Sequence, residues 1–278
     1  MTLDEFIKYA LQEDIGSGDH SSLASIPANA IGKAHLKVKQ NGIIAGVEVA
    51  KKILEIVDNK AALSIHITDG TPVAYGDIVF DLEASVHTIL KAERLILNIM
   101  QRMSGIASLT HTYVDKIKQY STKLLDTRKT TPNFRWFEKK AVLIGGGYNH
   151  RFGLYDMIML KDNHIDFCGG IEKAIDKTNQ YLKDHNLELP IEIETRNLDE
   201  VQRVVQHGGV QRIMLDNFTP ENISLALNII QKQFETEASG GITFETIEDY
   251  AKTGVDFISS GAIIHHATSM DLSLKAIK

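Results

Sequence analysis

The sequence predicts an α/β protein in two parts, an α+β domain followed by a (β/α) barrel. Three observations predict this. Residues 1 to about 85 mix amphipathic helices with short alternating strands and glycine turns. A long helical stretch then runs from Thr88 to about Tyr120, and beyond it apolar runs, charged loops and amphipathic helices repeat in turn. With 278 residues, 43% of them hydrophobic, the chain can bury a full core, and its length suits either one (β/α) barrel or two unequal domains.

Taken in order, Leu3, Phe6, Ile7, Ala10 and Leu11 recur at helical spacing, and the pattern stops at Ile15-Gly16-Ser17-Gly18-Asp19. Alternation of Ala34, Leu36 and Val38 predicts a strand, Gly42 to Gly46 breaks it, and Glu48 to Val57 is helical again. Leu63 to Ile67, the Asp69-Gly70 turn, Val73, the Gly76-Asp77 turn and Ile78 to Leu82 predict a small antiparallel sheet. Ile89, Leu90, Leu95, Ile96, Ile99, Met100 and Met103 then give helical spacing, with a kink or break expected at Ser104-Gly105, so that a connecting helix pair results. Strands are expected at Lys123 to Leu125, Ala141 to Ile144, Asp156 to Leu160, Ile191 to Ile193, Arg212 to Leu215, Phe234 to Glu237 and Phe257 to Ser259. Helices are expected at Gly170 to Asp184, Asn197 to His207, Thr219 to Gln233 and Thr243 to Thr253. Repetition this frequent favours a barrel over an open sheet.

Charge and cysteine content narrow the function. Against 30 Lys+Arg stand 36 Asp+Glu, a net charge of −6, which argues against a nucleic-acid or membrane-surface protein. One cysteine, Cys168, excludes an internal disulfide framework and fits a reducing compartment. The opening residues lack a basic stretch followed by an apolar one, and no apolar run approaches ~18 residues, so a cytoplasmic protein is expected.

Positive charge is nevertheless concentrated from Asp126 to His164. Arg128, Lys129, Arg135, Lys139, Lys140, His150, Arg151 and Lys161 lie there around Gly145-Gly146-Gly147, which suits a pocket for a polyanionic small molecule. A parallel barrel carries its chemistry at the carboxyl ends of its strands. Just past the apolar runs stand Asp126 to Lys129, Lys161 to His164, Glu194, Asp216-Asn217, Ser239-Gly240-Gly241 and Gly261-Ala262. Two carboxylates in that set could hold Mg²⁺, and the glycine turns offer N–H groups to phosphate.

In this order, DTRKTTP, GGGYNHRFGL, DMIMLKDNH, IEIET, IMLDN, EASGGI and GVDFISSGA resemble quinolinate phosphoribosyltransferase, and EDIGSGDHSS, GIIAGV and AERLILNIMQRMSGIA extend the resemblance over nearly the whole chain. The resemblance implies an N-terminal α+β sandwich domain, residues 1–103, followed by an incomplete (β/α) barrel, residues 104–266, with 267–278 packing back on the first. It also implies decarboxylating transfer of phosphoribosyl from 5-phosphoribosyl-1-pyrophosphate to quinolinate in NAD synthesis. Nicotinate mononucleotide, pyrophosphate and carbon dioxide are the products, and Mg²⁺ is the cofactor. A homodimer is implied too, with dimer against hexamer left open.

Residue by residue, Arg128, His150, Arg151 and Lys161 match the family's quinolinate pocket. Lys139 matches a further basic position in it, and Arg94 an arginine donated by the neighbouring subunit. Lys129 matches the lysine between the two substrates. Glu194 and Asp216 match the acidic pair near the ribose and Mg²⁺, the metal contact being direct or through the substrate. Ser239, Gly240, Gly241, Gly261 and Ala262 match phosphate-binding turns. Asn133, where glycine is frequent, and His266, where a small residue is usual, depart from the pattern.

Plainer readings stand beside these. His150 could cap or pack, Lys161 could be a solvated loop lysine, and Arg94 on a helix would ordinarily be solvated. Arg135 and Lys140 read as surface or salt-bridging residues, Lys139 equally as either, and Trp136 and Phe137 as packing. Glu192 shares a strand face with Glu194, and only its depth argues against a direct role. His265-His266 lacks a third metal ligand at suitable spacing. Three alternative functions remain: a transferase acting on another ring carboxylate, a homologue from a molybdate operon, and a non-catalytic sensor of phosphoribosyl pyrophosphate. The sensor reading expects losses among Lys129, Glu194 and Asp216, and none is lost.

Overall fold

Thr2 starts the first helix, α1 (Leu3–Ile15). Its Oγ1 accepts from the Glu5 N–H at 3.2 Å while Glu5 Oε2 accepts from the Thr2 N–H at 2.7 Å, and Gly16 at φ 52° ends it. The computed structural model describes residues 2–277. After α1 come α2 (His20–Ser25), β1 (Ile31–Val38), β2 (Gly42–Ile43), α3 (Val47–Val57), β3 (Ala62–Ile65), β4 (Pro72–Val73), β5 (Ile78–Ser85) and the helix α4 (Val86–Ile117). Next are β6 (Lys123–Leu125), α5 (Arg135–Ile144), β7 (Ile158–Leu160), α6 (Asp162–Cys168), α7 (Ile171–Asp184) and β8 (Ile191–Thr195). The chain continues through α8 (Leu198–His207), β9 (Arg212–Asp216), α9 (Pro220–Ile230), β10 (Glu235–Ser239) and α10 (Ile247–Ala251). It closes with β11 (Phe257–Ser259), α11 (Ala262–His265) and β12 (Leu272–Ile277). Among the described residues, no helix is long and apolar enough to cross a membrane.

Two compact units result. Residues up to His111, Pro132–Gly146 and those from His266 on form the first, and Thr112–Thr131 with Gly147–His265 form the second. In the first, an antiparallel sheet has the order β12-β1-β5-β3, beside a two-stranded β2-β4 pair. Ala34, Leu36 and Val38 are buried from one face of β1, and Leu274 of β12 stands opposite Leu36. The C-terminal strand thus completes the sheet that the N-terminal residues begin.

The break expected at Ser104-Gly105 is absent, and one helix, not a pair, covers the stretch. Ser104 Oγ accepts from the Ala45 N–H at 2.9 Å and donates to Ala45 O at 3.2 Å, while a Cβ on Gly105 would lie 2.0 Å from Thr268 O. The glycine therefore answers to a close backbone approach and not to a turn. The two units divide within this unbroken helix, at 111/112.

The strand expected at Ala141 to Ile144 is the second half of α5. Phe137, Glu138, Ala141 and Val142 are buried together at helical spacing, and Phe137 meets Phe6 at 4.6 Å between ring centroids. A four-residue apolar run cannot by itself distinguish helix from strand. Just before α5, Asn133 adopts φ 61°, a left-handed conformation that glycine takes at no cost and asparagine tolerates, so the departure after TTP keeps the turn.

In the second unit the strands pair in parallel, in the order β6-β11-β10-β9-β8-β7, with Leu125 also bridging in parallel to Tyr148. Helices follow the strands as expected for a (β/α) barrel, and β6 and β7 remain the edges of an incomplete one. Register places Glu192 opposite Arg212, Glu194 opposite Met214, Glu237 also opposite Met214, and Ser239 opposite Asp216. Alternation then sends Glu192 and Glu194, Arg212 and Asp216, and Glu237 and Ser239 to one face of their strands, giving a charged layer beneath a second, higher layer.

Candidate active site

At the carboxyl ends of this sheet lie most of the expected site residues. Arg128 and Lys129 follow β6 and are exposed, Lys161 follows β7, Glu194 is the fourth residue of β8, and Asp216 ends β9. Ser239 ends β10, Gly240 and Gly241 follow it, and Gly261 and Ala262 follow β11. Lys161 Nζ donates to Glu194 Oε1. Asp216 Oδ2 accepts from Asn217 Nδ2 at 2.7 Å, and the Asn217 N–H donates to Ser239 O at 2.8 Å, which ties the ends of β9 and β10 together. A Cβ on Gly240, at φ 94°, would come within 2.2 Å of Asn217 Oδ1, and one on Gly261 would stand 3.1 Å from Lys129 Cδ. The lysine and the last glycine turn are thus neighbours.

His150 and Arg151 arrive on the segment between Gly147 and β7. Asp126, fully buried, holds that segment: its Oδ1 accepts from the His150 N–H at 2.9 Å and its Oδ2 from Asn149 Nδ2 at 2.5 Å. Arg151 Nη1 donates to Met157 O at 3.2 Å. Partial burial and the like charge of Arg128 hold the Arg151 guanidinium below its ordinary pKa. Arg94 and Lys139 belong to the first unit, Arg94 exposed on α4 and Lys139 buried on α5. Their matching to the pocket rests on the resemblance.

His150 is turned inward. Its Nε2 lies 2.9 Å from Glu192 Oε2 and 3.4 Å from Glu237 Oε2; in the neutral ring Nδ1 accepts from the Arg151 N–H at 2.6 Å, which leaves the one proton on Nε2, and a second proton on Nδ1 ends that bond. Burial alone would lower the imidazole pKa, but the two carboxylates outweigh it and hold the value up at about 9. Desolvation and the charge of Glu237 push Glu192 up to about 7. Glu237 stays below its ordinary value: burial would raise it, and His150, Ser259 and Arg212 more than offset that. Of this set the sequence reading named His150 as a ligand and weighed Glu192 by depth. It places Asp126 just past a strand without giving it a role and does not single out Arg212 or Glu237, although Glu237 two residues before Ser239 carries the same alternation signal as Glu192 before Glu194.

This geometry predicts a pH dependence. A histidine whose folded pKa is raised contributes stability that is fully present below its unfolded value, about 6.5, and lost as pH rises through the folded one. The raised carboxyl of Glu192 acts in the same direction one window lower, between its ordinary value and about 7. Urea midpoints should fall as pH rises from 6.5 through about 9, and a His150→Gln variant should show a flatter profile across that interval.

An incomplete parallel barrel that carries Arg128, Lys129, Lys161, Glu194 and Asp216 at its strand ends, with Arg151 on the segment before β7, defines a barrel protein whose charged groups stand where such folds bind their substrates. Two family models cover the chain: "Quinolinate phosphoribosyl transferase, N-terminal domain" matches residues 19–104, and "Quinolinate phosphoribosyl transferase, C-terminal domain" matches residues 106–275. The chain belongs to the quinolinate phosphoribosyltransferase family. It is 42% identical over 284 residues to quinolinate phosphoribosyltransferase [decarboxylating] 1b of Nicotiana tabacum, covering 97% of this chain and 81% of that one. To the probable nicotinate-nucleotide pyrophosphorylase [carboxylating] of Bacillus subtilis it is 39% identical over 274 residues, 99% of this chain and 93% of the other. The crystal structure of NadC from Streptococcus pyogenes superposes with a TM-score of 0.94 at 38% identity, covering 99% of this chain and 97% of that one.

Proposed function

We propose that this protein transfers phosphoribosyl from 5-phosphoribosyl-1-pyrophosphate to quinolinate with loss of carbon dioxide, giving nicotinate mononucleotide and pyrophosphate for NAD synthesis. The observation that carries this is membership of this family together with Arg128, Lys161, Glu194 and Asp216 standing at the strand ends of its barrel, where Lys161 donates to Glu194. Quinolinate presents two adjacent carboxylates, and a partly dehydrated site must offset both charges. In this reading Arg128, Arg151 and Lys161 bind the acceptor, with Lys139 as a further basic group. The ring nitrogen attacks the ribose carbon as pyrophosphate leaves, and Lys129, beside the Gly261 turn, lies between the two reactants. Positive charge develops on the ribose, where Glu194 and Asp216 offset it. Ribosylation makes the ring nitrogen cationic, and its charge stabilises the electron pair left on the neighbouring carbon when the carboxylate departs as carbon dioxide; a solvent proton then takes up that pair. Ser239, Gly240, Gly241, Gly261 and Ala262 offer the phosphates their turns.

Mg²⁺ belongs to this reading. One or two carboxylates completed by substrate phosphates is a usual Mg²⁺ donor set, and Glu194 with Asp216 supplies the carboxylates; the ion would neutralise charge on the pyrophosphate. A homodimer in which the exposed Arg94 reaches the neighbouring pocket, and a cytoplasmic location consistent with the single Cys168, complete it.

The test is an assay of the full chain with quinolinate, phosphoribosyl pyrophosphate and Mg²⁺, following nicotinate mononucleotide and carbon dioxide, with nicotinate as a parallel acceptor. Both products from quinolinate are expected. Turnover of nicotinate alone would assign a related transferase, and turnover of neither acceptor would assign a sensor.

A further inference from the structure

Between β9 and α9 stand two residues, Asn217 and Phe218, before Thr219 caps the helix by accepting from the Asn222 N–H at 3.3 Å. Asn217 makes this short turn in the left-handed conformation, at φ 58°, which asparagine tolerates better than most residues. Phe218 is buried, and Asn217 itself is exposed. An exposed asparagine ordinarily gives its side chain to water. Here the carboxamide is engaged on both sides. Its Nδ2 donates to Asp216 Oδ2 at 2.7 Å, and its Oδ1 lies over the main chain of residue 240, where a Cβ would stand 2.2 Å from it and 2.7 Å from Asn217 Cγ. Turned the other way, the amide would set its oxygen against the carboxylate. Glycine at 240 therefore leaves room for the Asn217 side chain as well as serving its own φ of 94°.

These contacts join two groups that the proposed reaction uses separately, the Asp216 carboxylate at the ribose and the 239–241 turn at a phosphate. The Asn217 N–H donating to Ser239 O at 2.8 Å adds a main-chain link between them. Among the described residues the half-buried Asp216 carboxylate has one hydrogen-bond donor, Asn217, so this bond decides which of its oxygens faces outward. A phosphoribosyl donor carries ribose and phosphate at a spacing set by its own bonds, and a site already held at that spacing loses less freedom on binding. We propose that Asn217 is a positioning residue for the phosphoribosyl donor, its carboxamide holding the Asp216 carboxylate and the 239–241 turn at one spacing. The inference rests on the transferase reading. It gives Asn217 no contact with the reacting atoms.

Asn217→Gly deletes the carboxamide and keeps the left-handed turn, so side chain and backbone are tested apart. The full chain is titrated calorimetrically in Mg²⁺ with phosphoribosyl pyrophosphate, with and without benzene-1,2-dicarboxylate, an acceptor stand-in that has two adjacent carboxylates and no ring nitrogen to react. The donor should bind roughly tenfold more weakly to the variant, about what one hydrogen bond to a charged group supplies. Affinity for quinolinate, titrated separately, should change by less than about threefold, and the melting temperature should hardly move. Asn217→Ala removes the same carboxamide and adds the strain of an ordinary side chain at φ 58°. It should bind the donor no better than the glycine variant and should melt lower. In steady-state kinetics both variants should lose kcat/KM for phosphoribosyl pyrophosphate while KM for quinolinate stays near the wild-type value.

Donor affinity within about twofold of the wild type in the glycine variant would overturn the proposal. Equal weakening of both substrates would overturn it too, as would a loss confined to the alanine variant, which would place the effect in the backbone. A wild type that binds the donor but leaves quinolinate unconverted would sink the proposed reaction instead, and the titrations of the two variants would still decide the part of Asn217. A wild type that binds no phosphoribosyl pyrophosphate under either condition would overturn both.

Discussion

An Arg128→Ala variant is expected to lose on the order of 100- to 1,000-fold in kcat/KM for quinolinate, roughly 3–4 kcal/mol of transition-state stabilisation. Arg128 is exposed just beyond β6 and close enough to Arg151 to depress that guanidinium. In the proposed pocket Arg128 and Arg151 both offset the charge of the dianionic acceptor, and Arg128→Ala removes one of the two forks. Because the side chain is exposed, the melting temperature should hardly move, which separates loss of binding from loss of fold. Arg128→Lys should recover only part of the activity, since an ammonium restores charge without the planar fork. Steady-state kinetics with each substrate varied checks this, and an unaltered kcat/KM for quinolinate would place Arg128 outside the pocket. Lys161→Ala is a less clean comparison, because it also removes the donor to Glu194.

Gly105→Val should be the most destabilising single substitution in the first unit, by about 3 kcal/mol or more. Its Cβ would meet Thr268 O at 2.0 Å, Thr268 C at 2.9 Å and Ser269 Cα at 3.2 Å, all backbone atoms that cannot swing aside. Relief requires the 268–269 segment to withdraw from α4, and the next element is β12, whose six register pairs hold it against β1. The melting temperature should fall by roughly 6–12 °C, at about 2–4 °C per kcal/mol for a domain of this size. Limited proteolysis should also cut near residue 268 earlier than in the wild type. A melting temperature within a degree of the wild type would show that α4 and the C-terminal segment do not approach as closely as the structure has them.

Helical and strand periodicity, the glycine and asparagine turns, the acidic net charge and the cation-rich segment from Asp126 to Lys161 are local properties, and the sequence by itself determined them. They were enough to define a two-part α/β protein and to place Arg128, Lys129, Lys161, Glu194 and Asp216 at strand ends, because in a parallel barrel position along a strand fixes which end a residue occupies. What only the tertiary structure decided are contacts between residues far apart in the chain. Gly105 reads locally as a helix break until Thr268 is seen against it, and Ala141 to Ile144 reads as a strand until Phe6 is seen against Phe137. What the His150 ring touches, Glu192 on one side and the Arg151 main chain on the other, is likewise set by residues brought together only in the fold. Periodicity records which face of an element is buried. It does not record what lies against that face, and for Glu192, Arg212 and Glu237 the partner decides whether a buried charge is a cost or part of the site.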